Sequence, residues 1–243
     1  MTVSSERREP FGASVVEWTM TPLRCLLVLL SLVLAGCAGP TRIGARATNL
    51  GSPAEPTLDM YELADGRSAP PVRATVLYVP GSTDTSVTRA IGALAGFVMM
   101  DMRVLMLERR GVRGDAVDRR GRDFATKPKR IADVRAALDA ALGAAPPTRP
   151  VVLVGASEGG DVAAAVAAED PRVTHLVLLG SGGGMTQADE LTLLVRRNPG
   201  YLGIRTEEDL AARFAEVRAR PDSTEDWLGL PFCRWSKIGR AHV

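Results

Sequence analysis

Ser157 is the residue whose type and setting point most directly to chemistry. It sits in Gly155-Ala156-Ser157-Glu158-Gly159, with another glycine at position 160. A serine hydroxyl is a weak nucleophile until a base takes its proton, and fixed N–H donors must then stabilise the oxyanion that forms. A Gly-x-Ser-x-Gly run meets part of that need when it is a sharp turn between a strand and a helix. The glycines let the backbone turn and let the helix pack close, which leaves the hydroxyl at the tip. With 24 glycines in 243 residues, the pentapeptide alone is a weak signal. Its flanks make it specific. Val151-Val152-Leu153-Val154 before it reads as a strand buried on both faces, and an alanine-rich helical stretch follows from Glu158.

A serine so placed needs a sheet around it, and further apolar runs supply one. Met60–Leu63, followed by Asp65-Gly66, reads as an early strand and turn. Ala74–Val79 is a second run, broken by Pro80-Gly81-Ser82-Thr83-Asp84, and Arg103–Leu107 a third, ending in Glu108-Arg109-Arg110-Gly111. Ile131, Val134, Leu138 and Leu142 recur at helical spacing. Val173–Leu179 is a further strand, closing in Gly180-Ser181-Gly182-Gly183-Gly184. Strands alternating with helical patterns predict an α/β fold with a doubly wound, mainly parallel sheet. Beyond the last strand, Thr186/Asp189 and Thr206/Asp209 have the Thr-x-x-Asp spacing of helix caps. Leu210, Phe214 and Val217 form an apolar stripe ended by Pro221, expected to pack against the body of the protein.

From about Leu58 to Leu179 the order of these pieces resembles the α/β-hydrolase superfamily of serine hydrolases. The resemblance implies that Ser157 forms an acyl-enzyme and that the backbone N–H of Glu158 is one oxyanion donor. It implies Ser82 N–H, in the loop after the early strand, as the second donor. Pro80 replaces the histidine commoner in that loop, and Glu108–Gly111 is similar to an Asp-x-Arg-Gly turn of many members. The implied activity is hydrolysis of a carboxylic ester or thioester on a small acyl substrate, without cofactor or metal. The region 57–185 is then the hydrolase core and 186–236 a helical lid.

The triad also needs an acid and then a histidine after the nucleophile. The chain has two histidines. His175 is expected inside a buried strand, too far from the sheet's carboxyl edge to act. His242 lies in Ile238–Val243, whose back-translation resembles a sequencing adapter, so residues 237–243 are expected to be artefactual. The genuine frame is then expected to continue past Ser236 and to carry the triad acid and base there, with the sheet incomplete in the present chain.

The N-terminus carries a different signal. Leu26–Leu34 is an apolar core preceded by Arg24 and followed by Ala35-Gly36-Cys37. It is short for a membrane span and has the flanks of a signal peptide. Leu34-Ala35-Gly36-Cys37 resembles a bacterial lipobox, which implies a signal over residues 1–37 with a true start at Met20. Cys37 is then lipidated and anchors the chain in a membrane, with 38–56 a flexible tether. Ala38 is similar to the residue of lipoproteins sent to the outer membrane of two-membrane bacteria. Cys25 leaves with the signal, so Cys233 has no intramolecular disulfide partner, and no histidine argues for it as a nucleophile.

Other readings are weaker. A dinucleotide site would want the glycine turn first in the chain and an acid after the next strand. Arg109, Arg110, Arg113, Arg119, Arg120 and Arg122 could hold an anion, but Asp115, Asp118 and Asp123 interrupt them and predict a solvated loop. Glu158 and Asp161 read as local polar residues. A net charge of +2 argues neither for nor against an anionic partner, and export speaks against nucleic acid. The alternative to an enzyme is a lipoprotein that keeps the fold as a binding module without catalysis.

Overall fold

The computed structural model describes residues 43–66, 72–114, 116–143, 147–181, 185, 187–200, 203–228, 230–233 and 235–236. The signal-like run, Cys37, Thr186 and His242 lie outside them. Six strands form one sheet: β1 (Gly44–Asn49), β2 (Asp59–Ala64), β3 (Ala74–Val79), β4 (Met102–Leu107), β5 (Val151–Ala156) and β6 (His175–Leu179). The helices described are α1 (Ile91–Met99), α2 (Lys127–Leu142), α3 (Glu158–Glu169), α4 (Gln187–Arg197) and α5 (Glu207–Ala219).

Period-two alternation in the central strands separates the two faces of the sheet. Leu77, Val79, Leu105, Leu107, Val151 and Leu153 point to one layer, where Val134 and Leu138 of α2 and Val162 and Val166 of α3 cover them. Val76, Val104, Met106 and Val154 point to the other, covered by Leu94 and Val98 of α1. Helices thus lie on both faces, as the apolar runs predicted.

The spatial order is β1-β2-β4-β3-β5-β6. β4, β3, β5 and β6 are parallel, and β2 runs against both β4 and β1. From β3 the chain crosses by α1 to β4 on one side, then by α2 to β5 on the other. The connection changes direction at β3 and β5. In open α/β sheets, sites form at the carboxyl ends of strands beside such a switch point, and here those ends lead into Pro80-Gly81-Ser82 and Ser157.

Three expectations need correction. Part of the presumed tether, Gly44–Asn49, is an exposed edge strand paired to β2 from Gly44↔Ala64 to Asn49↔Asp59. The strand holding His175 is not buried: β6 is the opposite edge, and Leu176–Leu179 are 38–48% exposed because only β5 flanks them. The stripe of Leu210, Phe214 and Val217 does not close on the sheet. It joins Leu191, Val195, Trp227, Phe232 and Trp235 in a separate cluster, with Phe214 edge-on to Trp227 at 5.2 Å. Aromatic edge-to-face packing and the Trp235 Nε1–H bond to the Trp227 carbonyl at 2.7 Å let this segment bury its own apolar surface. The Thr206–Asp209 capping box forms as predicted.

Candidate active site

The turn between β5 and α3 is as sharp as its glycines allow. Ser157 has φ 50° and ψ −129°, a left-handed backbone that a non-glycine residue rarely keeps without a reason in the surrounding packing. Its side chain is exposed. The turn is held on two sides: Ser157 N–H donates to the Leu179 carbonyl at the end of β6 (2.8 Å), and Gly160 N–H donates to the Ser157 carbonyl (2.8 Å).

The glycines here supply space rather than conformation. A Cβ on Gly159 would lie 2.3 Å from the Val79 carbonyl oxygen and 2.4 Å from that of Pro80. One on Gly155 would lie 2.5 Å from the Gly159 carbonyl oxygen. Helix α3 therefore starts in direct backbone contact with the end of β3. That contact carries the loop after β3 to Ser157, since a Cβ on Gly81 would stand 3.1 Å from Ser157 Cβ and 3.7 Å from its Oγ.

Buried charges brace this loop. Glu108, 1% exposed at the end of β4, accepts from Ser86 Oγ–H (2.6 Å) and from the N–H groups of Val87 (3.0 Å) and Arg109 (3.1 Å). Burial raises its carboxyl above the ordinary range, against the lowering effect of those donors. Arg109, also buried, donates from Nη1 to the Ser82 and Thr83 carbonyls and pairs with Asp84 at 3.0 Å. From α2, Arg130 Nη2–H donates to the Pro80 carbonyl, and Nη1 lies 3.1 Å from Glu158 Oε2. A small cavity behind the loop is lined by Pro80, Leu107, Glu108, Phe124, Arg130 and Asp133.

The residues expected to act together are thus only partly assembled. Ser157, the Ser82 loop and Glu158 converge. Glu158, as first residue of α3, has no intrahelical acceptor for its N–H, and the helix dipole favours negative charge there. His175 is far away. It opens β6 in register with Val152, while Leu179 pairs with Ala156, so it lies roughly 13 Å along the strand from the serine end. Its Nδ1 lies 2.8 Å from Thr174 Oγ1. Asp161 accepts from Ser181 Oγ–H at 3.1 Å. Cys233 is half-buried and forms no disulfide among the described residues.

The arginine-rich loop differs from its expected solvated state. Arg109 and Arg110 are turned inward, Arg110 pairing with Asp133 (2.8 Å) and Glu55 (2.7 Å), and Arg113 pairs with the buried Asp59 (3.0 Å). Arg120 does remain outside, on Asp118. Nor did the sequence single out Arg130 or Asp133. The available signal was their place on the same face of α2 as Val134, Ala137 and Leu138, where charge is unexpected without a partner.

The strand order, the reversed second strand and a serine at positive φ between β5 and α3 make this an α/β-hydrolase fold. No family model matches the chain, and no curated protein matches it in sequence. Among solved structures it is similar to hypothetical protein PA2218 from Pseudomonas aeruginosa, with 16% identity, TM-score 0.49 and coverage of 74% of this chain and 54% of that one. It is also similar to a highly thermostable carboxyl esterase from Bacillus coagulans (13% identity, TM-score 0.49, 83% and 73% coverage). A third is alpha/beta hydrolase domain-containing protein 10 from mouse (19% identity, TM-score 0.49, 81% and 69% coverage). The chain spans about half the length of the Pseudomonas protein.

Asp133 gives the site's framework a pH dependence. Burial pushes its carboxyl from 3.8 up to about 6, although Arg110, and Arg130 more weakly, favour the charged form. A raised folded-state value means the protonated group favours folding at low pH, and that contribution is lost as pH rises from about 4 through about 6. The shift corresponds to on the order of 3 kcal/mol. Asp133→Asn should therefore become more stable relative to the parent across this window by roughly 2–3 kcal/mol. Urea unfolding at several pH values checks this, and a difference independent of pH contradicts it.

Proposed function

We propose that this protein is a serine hydrolase acting on a carboxylic ester or thioester. The observation that carries the reading is the exposed Ser157 at φ 50° with the Gly81 loop against its side chain. Ser157 Oγ attacks the acyl carbon as a base takes its proton, and the carbonyl electrons move onto oxygen. The N–H groups of Ser82 and Glu158 receive that oxyanion, and its collapse expels the alcohol or thiol with the proton returned to it. Water then cleaves the acyl-enzyme and restores the serine. The order of ester before amide rests on the α/β-hydrolase resemblance. No base or acid of the triad is assigned among the described residues.

The anchor is proposed alongside. Cys37 carries lipid and holds the domain at a bacterial membrane, on the periplasmic side of an outer membrane if the host has two. A second reading, a lipoprotein with this fold that binds a ligand without turnover, draws support from the position of His175 at the far end of β6.

A fluorophosphonate probe applied to the protein expressed from its own gene separates the two. Serine labelling that disappears in Ser157→Ala is expected of the hydrolase, whereas folded protein that takes no label favours the binding module. For the anchor, fatty-acid incorporation in the bacterial host should be abolished by Cys37→Ala. Incorporation that persists in that variant excludes lipidation at Cys37.

A further inference from the structure

We infer that Arg130 is a positioning residue that sets the two oxyanion donors relative to each other, an inference that rests on the hydrolase reading of Ser157. Arg130 is 7% exposed on the first turn of α2, and its guanidinium spans both halves of the site. Nη2–H donates to the carbonyl of Pro80, two residues before the Ser82 donor. Nη1 stands 3.1 Å from Glu158 Oε2, on the residue whose own N–H is the other donor. That second contact lacks the direction of a hydrogen bond and is Coulombic, in surroundings where burial strengthens it.

Peptide geometry explains what this hold accomplishes. The Pro80–Gly81 unit is planar and trans, so fixing its carbonyl fixes the direction of Gly81 N–H. Two peptides on, the Ser82 carbonyl is fixed by Arg109. The Gly81–Ser82 peptide, which carries the Ser82 donor, is therefore bracketed by two carbonyls held by buried guanidinium groups. Arg109 holds the loop at Ser82, Thr83 and Asp84. Arg130 also grips the elbow, at Glu158, and so couples donor to donor. Contact of Gly159 with the Val79 and Pro80 carbonyls leaves the loop little room to shift in compensation. A planar, forked cation can serve both acceptors at once, which a lysine ammonium at the end of a single chain cannot do in the same way.

The test uses Arg130→Lys, Arg130→Met and Glu158→Gln in the protein expressed from its own gene. Two readouts are taken: the rate of Ser157 labelling by the fluorophosphonate, and amide exchange at residues 80–84 and 157–160. Arg130→Lys should slow labelling roughly ten- to a hundred-fold, the cost expected when reacting groups are held but misplaced. Exchange should quicken in both turns while the interiors of β3 and β5 keep their protection. Glu158→Gln should loosen 80–84 as well, an effect that disappears once Arg130 is methionine. If Arg130→Met fails to fold, the lysine and glutamine variants still decide. Labelling at the parent rate in Arg130→Lys, or loosening confined to α2, overturns the inference. A parent protein that takes no label instead overturns the hydrolase reading, and the coupling of the two turns is then judged by exchange alone.

Discussion

The architecture depends on one close approach, that of the start of α3 to the end of β3. Backbone meets backbone there because Gly159 presents hydrogen where any other residue would present carbon, and Gly155 does the same where β5 meets α3. A single methylene at Gly159 would fall inside the contact distance of two carbonyl oxygens, and packing of this density cannot absorb it without moving a strand or a helix. The unfavourable φ of Ser157 is sustained by this contact together with the bond from Ser157 N–H to Leu179. Strain at a residue persists only where its surroundings overdetermine it.

Around that contact the chain spends buried charge on the loops rather than on the core. The central strands and the helices packed on them meet through apolar side chains, whereas Glu108 and Arg109 after β4 and Arg130 and Asp133 at the start of α2 gather near Pro80 in the loop after β3. Removing such groups from water is costly, and an apolar replacement of the same shape is often as stable. Their value lies in specificity of position. Glu108 fixes the 3-10 turn at Val87–Ala90 through Ser86 and Val87, and Arg109 fixes Ser82 and Thr83. A loop of Gly, Ser and Thr with no regular structure is thereby given one conformation beside Ser157.

The central strands, α2, α3 and the elbow were legible because each depends on local pattern. Val151–Val154 is an uninterrupted apolar run and Ala74–Val79 a nearly continuous one, and the glycines at 155, 159 and 160 mark a turn because they follow such a run. The state of β6 was not legible. Leu176–Leu179 look as apolar as β5, and burial depends on which strands flank them, a property of sheet order. Strand β1 was hidden for the converse reason: Gly44–Asn49 is wholly exposed, so it shows no alternation and is recruited by backbone pairing to β2 alone. The brace at Arg109, Arg110 and Arg130 was obscured because a charged residue in sequence reads as solvated until its partners, which here lie 23 to 55 positions away, are brought together.

The central claim, that the Ser157 turn is built on a contact with no room for a Cβ, is tested most directly by comparing two glycine-to-alanine substitutions. Gly96, inside α1, has nothing within 4 Å of where a Cβ would stand, so Gly96→Ala should raise the unfolding free energy by about 0.5–1 kcal/mol through helix propensity. Gly159→Ala, also in a helix, should instead lower it by several kcal/mol, of order 3, through overpacking. Opposite signs at the two positions are the predicted result. A Gly159→Ala protein as stable as the parent would show that α3 and β3 do not meet in this way, and the account of the site would fall with it.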